Sequence, residues 1–295
     1  MQSIPVDGFS TSLTALPKRN GLRLSVAARN FGTVPVLDAL AAVARAGFET
    51  CDNFPWRDEA EFATYAEGLR LFGLGAGVLV INKHPDVNAL GCSINNPADR
   101  EGFLRDLTRC GAAAEAVGCN RLEVLSGNTI PGVPHHEQLR CCVDTLRAAV
   151  PFLEQHRMTA VVEMLNSSQE HPGYFLDTTR DALELINRVG SPRVKLLFDI
   201  YHVQLGEGNV TRKLREHIGE IGQIHFADVP GRHEPGTGEL NFRHLFKAIH
   251  DLEYKGWVTA EYEPTDYTFR DLHLIRDLAT FDRSAEVPTL NGVPK

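Results

Sequence analysis

The stretch VKLLFDIYHVQLGEGNVTRKLREHIGEIGQIHFAD (194–228) decides the fold. It begins with VKLLFDIYH (194–202), a strand-length run that is apolar almost throughout, and it ends with a second such run, GQIHFAD (222–228). Continuously apolar strands are typical of parallel sheets that are buried on both faces. The stretch therefore predicts one strand, a crossover, and a second strand parallel to the first.

The same alternation continues towards both ends of the chain. Longer patterns with apolar residues three and four positions apart predict helices between the short runs. In the pattern at 176–190, Thr178 with Asp181 resembles a capping box and Gly190 can end the helix. Pro151 predicts a kink or a break within the pattern at 137–156. The other short apolar runs are 22–30, 48–54, 74–82, 119–128, 159–166 and 256–263, and the other helical patterns are 35–47, 98–118, 242–252 and a last helix near 268–281.

Eight consecutive strand–helix units predict an α/β fold of one closed (β/α)8 TIM barrel over residues 21–285. Residues 1–20 would form an N-terminal arm and residues 286–295 a C-terminal tail. The alternative is a doubly wound open sheet, which a glycine-rich turn after the first strand would favour. That turn reads NFGTVP (30–35), without G-x-G-x-x-G. We expect the long segment 83–97, after the third strand, to be an active-site loop.

Composition excludes several classes of protein. The 295 residues carry 30 basic and 38 acidic side chains, and this net charge of −8 opposes nucleic-acid binding. No apolar run approaches the roughly 20 residues that span a bilayer, and no secretory signal is visible. We expect a cytoplasmic protein with a small-molecule partner and no membrane partner, with homo-oligomerisation left open. No C-x-x-C pair is present, so we expect buried free thiols at Cys51, Cys92, Cys110, Cys119, Cys141 and Cys142.

Four ionisable residues lie at the ends of otherwise apolar strands in the second half of the chain. They are separated by 36, 26 and 36 residues, about one strand–helix unit each, so four successive strands supply one residue apiece. Active sites of TIM barrels lie at the carboxyl ends of the strands, so these side chains should converge. They are Glu163, Asp199, His225 and Glu261.

Three buried carboxylates at one barrel mouth would repel one another unless a cation compensated them. Oxygen ligands with one imidazole nitrogen suit Mn²⁺, Mg²⁺, Co²⁺ or Zn²⁺. For any single residue, a structural role such as an ion pair is a sufficient explanation. The in-phase placement of all four favours one divalent metal ion.

Further polar residues cluster near the same strand ends. His202 follows Asp199 by three positions, and the Gly/Pro-rich segment 227–240 after the seventh strand carries Arg232. Loops at this place in TIM barrels often hold anionic groups, so Arg232 is a candidate for binding a carboxylate or phosphate. The alternative is a surface turn whose glycines only permit positive φ.

At these residues the chain resembles a known family. The stretches PGYFLDTTRDALELINRVGSPRVKLLFDIYHVQLGEG (172–208), IGQIHFADVPGRHEPGTGELNFRHLF (221–246) and YKGWVTAEYEP (254–264) are similar to the hydroxypyruvate isomerase family. That family belongs to the xylose-isomerase-like barrels of sugar isomerases and epimerases. The resemblance covers about residues 163–264, and DIYH and ADVPGRHEPGTGE are its specific motifs. The segment NKHPDVNALGCSINNPADRE (82–101) departs from the family pattern, which puts the exact substrate in doubt.

The resemblance implies a metal-dependent isomerisation, such as hydroxypyruvate to tartronate semialdehyde, by proton transfer through an enediolate and without an organic cofactor. The family's metal ligands match Glu163, Asp199 and Glu261, with His225 at the fourth position. Its two acid/base glutamates match Glu163 and Glu261, and its substrate-contacting residues match His202 and Arg232. Hydroxypyruvate isomerases tend to carry Gln where His225 stands, whereas ketose 3-epimerases carry His.

Three alternatives follow from the same barrel. A ketose 3-epimerase would use the same metal and glutamate pair on a longer sugar. An apurinic-site endonuclease would need further histidines from the earlier strands, which offer Asp52, Asn82 and Glu123 instead. A non-catalytic sugar-binding barrel would require a broken set of ligands, and the set is intact.

Overall fold

One parallel sheet of nine strands forms the centre of the molecule. The computed structural model describes residues 21–82 and 93–281. Within these residues the strand order is β3-β2-β1-β9-β8-β7-β6-β5-β4, and the sheet curls into a nearly closed barrel. The strands are β1 (Arg23–Ala27), β2 (Thr50–Asp52), β3 (Gly75–Ala76), β4 (Leu79–Val80), β5 (Arg121–Leu125), β6 (Thr159–Glu163), β7 (Val194–Asp199), β8 (Ile221–Phe226) and β9 (Trp257–Ala260). All eight predicted strands are present, and the predicted TIM barrel is confirmed.

The third predicted strand is split into β3 and β4, which accounts for the ninth strand. Strand β3 pairs with β2, whereas β4 pairs with β5, so the two halves together bridge the first and second parts of the barrel. Gly77 lies at the break, and a Cβ atom there would come within 2.0 Å of Oδ1 of Asp52. A side chain is excluded at this point because a buried carboxylate occupies the space.

The helices form a layer outside the barrel, as the alternating pattern predicts. Helix α5 begins after Thr178, whose side chain accepts a hydrogen bond of 3.2 Å from the Asp181 amide, and it ends at Gly190 with φ 74°. Both predicted end signals are therefore confirmed. The helices are α1 (Val36–Ala46), α2 (Glu59–Phe72), α3 (Arg100–Ala116), α4 (His135–Gln155), α5 (Thr179–Val189), α6 (Ile200–Gly206), α7 (Val210–His217), α8 (Phe242–Asp251) and α9 (Arg270–Leu278).

Of the kink or break predicted at Pro151, the break does not occur. Helix α4 continues through the proline to Gln155. Ala149 and Leu153, on either side of it, are buried in the core. Tertiary packing of the apolar face therefore outweighs the lost backbone hydrogen bond and keeps the last turn helical.

The core has two parts. The larger one lies between the barrel and the helices, and a small one inside the barrel consists of Val78, Val161 and Leu197. Polar side chains occupy the barrel interior beside this small core and towards the carboxyl ends of the strands. Five of the cysteines are buried and unpaired as predicted, and Cys92 lies outside the described residues. Among the helices that the structure describes, none is both long and apolar enough to cross a bilayer.

Candidate metal centre and active site

Four side chains from four neighbouring strands meet at the carboxyl end of the barrel. Glu163 ends β6, Asp199 ends β7, His225 lies in β8, and Glu261 directly follows β9. Asp199 and His225 are register partners, so the parallel pairing brings them to the same level. One potential ligand atom from each of the four residues lies within 4.8 Å of the other three, and all four residues are buried. We call this set the quartet.

Arg232 reaches into the quartet from the loop after β8. Its Nη2 donates hydrogen bonds to Oδ2 of Asp199 (3.1 Å) and to Oε2 of Glu261 (2.7 Å). Its Nη1 lies 3.0 Å from Nε2 of His202, which is itself fully buried. The structure thus brings Arg232 and His202 together beside the quartet, and the guanidinium offsets part of the charge of the carboxylates.

The loop 228–240 is held in shape by Asp228. Its carboxylate accepts hydrogen bonds from the backbone amides of Val229, Gly236, Gly238 and Leu240, at 2.9–3.0 Å. Arg232 itself has a φ of 56°, a left-handed conformation that a non-glycine residue adopts only when its surroundings impose it. Asp228 therefore helps to aim the guanidinium at the quartet.

A second loop, 166–174 after β6, lies against the other side of His202. The Asn166 amide donates a hydrogen bond to Nδ1 of His202 (3.3 Å), and the ring of His171 stands edge-on, 5.4 Å from the ring of His202. The hydroxyl of Tyr174 donates to the carbonyl of Glu163 (3.2 Å). His202 is thereby fixed between two loops, with Nε2 on the side of Arg232.

The environment moves the pKa values of the two glutamates apart. Burial raises the pKa of Glu163 well above its usual value, and the charges of Glu123 and Glu261 raise it further. Burial also acts to raise the pKa of Glu261, but Arg232 and His225 outweigh it and hold the value well below its usual range. The difference arises because Arg232 pairs with Glu261 and not with Glu163.

The two histidines respond in opposite ways. Burial acts to lower the pKa of His225, but its contact with Glu261, at 3.3 Å from Nδ1, outweighs burial and raises the value to about 9. Burial and the charge of Arg232 lower the pKa of His202 well below its usual value. The contact with a carboxylate thus favours the protonated form of His225, whereas burial beside a guanidinium favours the neutral form of His202.

The quartet fits a divalent cation. Oε1 of Glu163 is buried without any hydrogen-bond partner, which is costly for a carboxylate unless a cation lies beside it. Three carboxylates and an imidazole are donors that divalent metal ions accept. The group can therefore hold a metal ion, and its chemistry does not select one metal over another.

Sequence reasoning did not single out every residue that shapes the site. It quoted the loop of Asp228 without assigning that residue a role, although an Asp directly after a strand and before a Gly/Pro-rich loop is a typical acceptor for turn amides. It named Asp52 only as a non-histidine residue of an early strand, and it assigned no role to any single residue of the loop 166–174. Of the expected active-site loop at 83–97, residues 83–92 lie outside the described residues.

Comparisons with known proteins identify the family to which this fold belongs. A family model described as a xylose isomerase-like TIM barrel matches residues 40–278. The 2-oxo-tetronate isomerase of Pectobacterium atrosepticum is 33% identical over 241 residues, which cover 81% of this chain and 90% of the relative. The hydroxypyruvate isomerase of Escherichia coli is 36% identical over 172 residues, which cover 58% of this chain and 66% of the relative.

Solved structures share the fold. A structure titled as an AP endonuclease of family 2 from Brucella melitensis superposes with a TM-score of 0.78 at 29% identity, covering 87% of this chain and 99% of that chain. A D-psicose 3-epimerase from Clostridium cellulolyticum H10 gives 0.72 at 14% identity, with 88% and 98% covered. The IOLI protein, solved with a bound zinc atom, gives 0.68 at 15% identity, with 88% and 95% covered. Taken with the matched family model and the isomerase relatives, these findings show that the chain belongs to the xylose isomerase-like TIM barrel family and is an isomerase.

Proposed function

We propose that the chain is a metal-dependent isomerase of a small hydroxy-keto acid, of the hydroxypyruvate/tartronate semialdehyde or 2-oxo-tetronate type. The observation that carries the proposal is the buried quartet, whose potential ligand atoms lie within 4.8 Å of one another beside Arg232. The names of the relatives supply the substrate class, since they are isomerases of small keto acids.

The quartet residues Glu163, Asp199, His225 and Glu261 would hold one divalent ion: Mn²⁺, Mg²⁺, Co²⁺ or Zn²⁺. Such an ion supplies Lewis-acid stabilisation of the negative charge that develops on the substrate when a proton next to the carbonyl is removed. No organic cofactor is needed, because the reaction moves a proton between neighbouring carbons without net redox change.

Glu163 and Glu261 are the proposed acid/base pair. Their strands, β6 and β9, are separated in the sheet by β7 and β8, so the two carboxylates approach the barrel axis from different sides. One carboxylate takes the proton from the hydroxyl-bearing carbon beside the carbonyl to form the enediolate, and a proton is returned to the former carbonyl carbon. The hydroxyl proton passes to the former carbonyl oxygen, so that the hydroxyl and carbonyl groups exchange places. General acid–base catalysis of this kind contributes about 10²–10⁴-fold to a rate.

Arg232 and His202 are the proposed substrate-binding residues. The guanidinium is a bidentate donor suited to a carboxylate or to vicinal oxygens. Nε2 of His202 lies 3.0 Å from it, and Nδ1 accepts a hydrogen bond from the backbone amide of Asn166. Together they orient the polar end of the substrate and exclude water from the carboxylates.

A ketose 3-epimerase is the second candidate function. It is favoured by one feature of this chain, the histidine at position 225, and the epimerase structures share its fold. The quartet and the glutamate pair serve both reactions. The difference lies in whether the proton returns to the same carbon or to its neighbour.

Apurinic-site endonuclease activity, for which one structural neighbour is named, is disfavoured for this chain. Strands β1–β5 contribute no histidine, and the net charge is −8. Among the described residues, the early strands therefore offer no histidine as an additional ligand, and the excess of negative charge opposes DNA binding.

A proton-exchange screen tests the proposal. The Mn²⁺-loaded protein is incubated in D₂O with hydroxypyruvate, with 2-oxo-tetronate and with a set of ketoses, and deuterium incorporation is followed by NMR. We expect exchange and isomerisation of a keto acid, both abolished by EDTA and restored by Mn²⁺. Epimerised ketose with inert keto acids would favour the second candidate. Cleavage of a duplex with an abasic site, without any exchange, would overturn both.

A further inference from the structure

A second polar layer lies in the barrel directly beside the quartet. It consists of Asp52 and three side chains that hydrogen-bond to it from other strands, and all four residues are fully buried. We call this layer the Asp52 cluster; its members are Ser25, Asp52, Gln223 and Thr259.

The Asp52 carboxylate accepts hydrogen bonds from three side chains. Ser25 donates to Oδ1 at 2.6 Å, while Gln223 and Thr259 donate to Oδ2 at 2.8 and 2.6 Å. The side-chain amide of Gln223 also donates to the Thr259 hydroxyl at 2.8 Å, which closes the ring of contacts. On the remaining side only a glycine fits, because a Cβ at Gly77 would come within 2.0 Å of Oδ1. The position of this buried carboxylate is therefore defined by the barrel itself.

The cluster and the quartet share two strands. Gln223 and His225 are two residues apart on β8, and Thr259 and Glu261 are two residues apart at β9, so each pair points into the barrel at successive levels. Asp52 is thereby held one level away from the imidazole of His225.

The two ring nitrogens of His225 face different carboxylates. Nδ1 lies 3.3 Å from Oε2 of Glu261, on the side of the quartet. Nε2 is buried without a hydrogen-bond partner, and Oδ2 of Asp52 lies 3.9 Å from it. An imidazole that binds a metal through one nitrogen almost always presents the N–H of the other to a carboxylate, carbonyl or water, which fixes the tautomer and the ring orientation.

We propose that Asp52 is the positioning residue of the metal centre: it faces the Nε2–H of His225 and thereby holds Nδ1 as the ligand atom. This inference rests on the proposed metal-dependent function. It also accounts for a buried carboxylate that is not itself a metal ligand and that three side-chain donors hold in place. Asp52 acts through His225 and touches neither the metal nor the substrate.

The test is a double-mutant cycle on the full chain, read out as Mn²⁺ affinity from the EPR signal of free Mn²⁺. We expect Asp52→Asn to weaken binding by about 10–100-fold, the range typical of partners that orient a ligand. In a His225→Gln background the same change should cost less than about threefold, because the imidazole through which Asp52 acts is gone. The matched control is Asp106→Asn. It alters a buried carboxylate of helix α3 that pairs with Arg57, and it should leave Mn²⁺ affinity within about twofold.

The outcomes separate the two proposals. Equal losses from Asp52→Asn in both backgrounds, or no loss in either, would overturn the role of Asp52 while leaving the metal centre intact. Absence of Mn²⁺, Mg²⁺, Co²⁺ and Zn²⁺ binding by the unaltered chain would overturn the metal centre and this role with it. If Asp52→Asn does not fold, Thr259→Val removes one donor to Asp52 and keeps the side-chain shape. It should weaken Mn²⁺ binding in the same direction, again only when His225 is present.

Discussion

At the scale of single residues, the two glutamates of the quartet are chemically distinct although both are buried. Arg232 pairs with Glu261 at 2.7 Å, whereas Oε1 of Glu163 has no hydrogen-bond partner. Their replacement by glutamine tests whether both carry protons, because an amide can still offer a carbonyl oxygen to a metal but cannot accept a proton.

We expect Glu163→Gln and Glu261→Gln each to lower kcat by about 10²–10⁴-fold or more, since a general base and a ligand are both disturbed. Metal affinity should fall only in part. If one glutamate removes the proton and the other returns it, one of the variants will still exchange substrate protons with D₂O after losing net isomerisation. A variant that turns over within tenfold of the unaltered protein would show that its glutamate is a ligand only.

The guanidinium of Arg232 is buried between the carboxylates of Asp199 and Glu261. Removing one partner of such a pair leaves an uncompensated charge, so Arg232→Ala should lower the free energy of unfolding by about 3 kcal/mol in EDTA. Saturating Mn²⁺ should recover part of the loss. Urea unfolding with and without the metal measures both values. Arg212→Ala, at an exposed ion pair with Glu216, is the control and should change little; a similarly small effect at Arg232 would contradict the expectation.

At the scale of elements, the loop 228–240 depends on one carboxylate. Asp228 accepts four backbone hydrogen bonds, two on each oxygen, so Asp228→Asn places an amide donor against two N–H groups. We expect a loss of about 1–3 kcal/mol in stability, and a fall in kcat/KM because Arg232 is no longer aimed. Asp266→Asn is the matched control, since Asp266 accepts from Thr268 in an exposed turn. Unchanged kcat/KM for Asp228→Asn would show that the loop aims Arg232 by other contacts.

Helix α5 is tied to the α6–α7 turn by Glu207. Its carboxylate accepts from the Thr179 amide (2.8 Å) and from Lys213 (2.8 Å). Partial burial acts to raise the pKa of Glu207, but Lys213 and Thr179 outweigh it and lower the value. A lowered folded-state pKa means that this contribution is present above the unfolded value, about 4.3, and is lost as the pH falls through the folded value.

Glu207→Gln should therefore reduce stability at pH 7 by under about 1 kcal/mol, since the pair is partly screened by water. The difference from the unaltered protein should shrink as the pH falls below about 4. Urea unfolding from pH 3 to pH 8 measures it. A difference that stays constant with pH would mean that the charge of Glu207 does not contribute.

At the scale of the whole molecule, the quartet links strands β6 to β9 and so couples metal binding to the stability of the barrel. A ligand at 100 times its Kd stabilises the native state by about 2.7 kcal/mol. For a chain of this size that corresponds to a rise in Tm of roughly 4–5 °C. Calorimetry of the EDTA-treated protein with and without Mn²⁺ checks this rise, which should be smaller in Asp199→Asn. An equal rise in that variant would place the bound metal elsewhere.

Much of the architecture was predictable because it depends on local sequence patterns, namely hydrophobic periodicity and helix-end signals. Eight apolar runs separated by helical periodicity predict the barrel, and Thr178 and Gly190 mark the ends of one helix through local hydrogen bonding and backbone freedom. The strand-end positions of the quartet follow from the same periodicity, since the active site of a TIM barrel lies at the carboxyl ends of its strands. Helix α4 shows the limit, because its continuation through Pro151 depends on long-range packing that no local rule contains.

The sequence alone thus determined the fold class and the residue types that reach the mouth of the barrel. Only the tertiary structure decided how these side chains pair with one another and with residues of other strands and loops. Asp52 lies beside His225 although the two are 173 positions apart in the chain. Arg232 forms an ion pair with Glu261 and not with Glu163. Such pairings depend on register, on the split between β3 and β4 and on the shape of one loop. The physical reason is that secondary structure is selected by neighbours in sequence, whereas the charge balance of a buried site is set by neighbours in space.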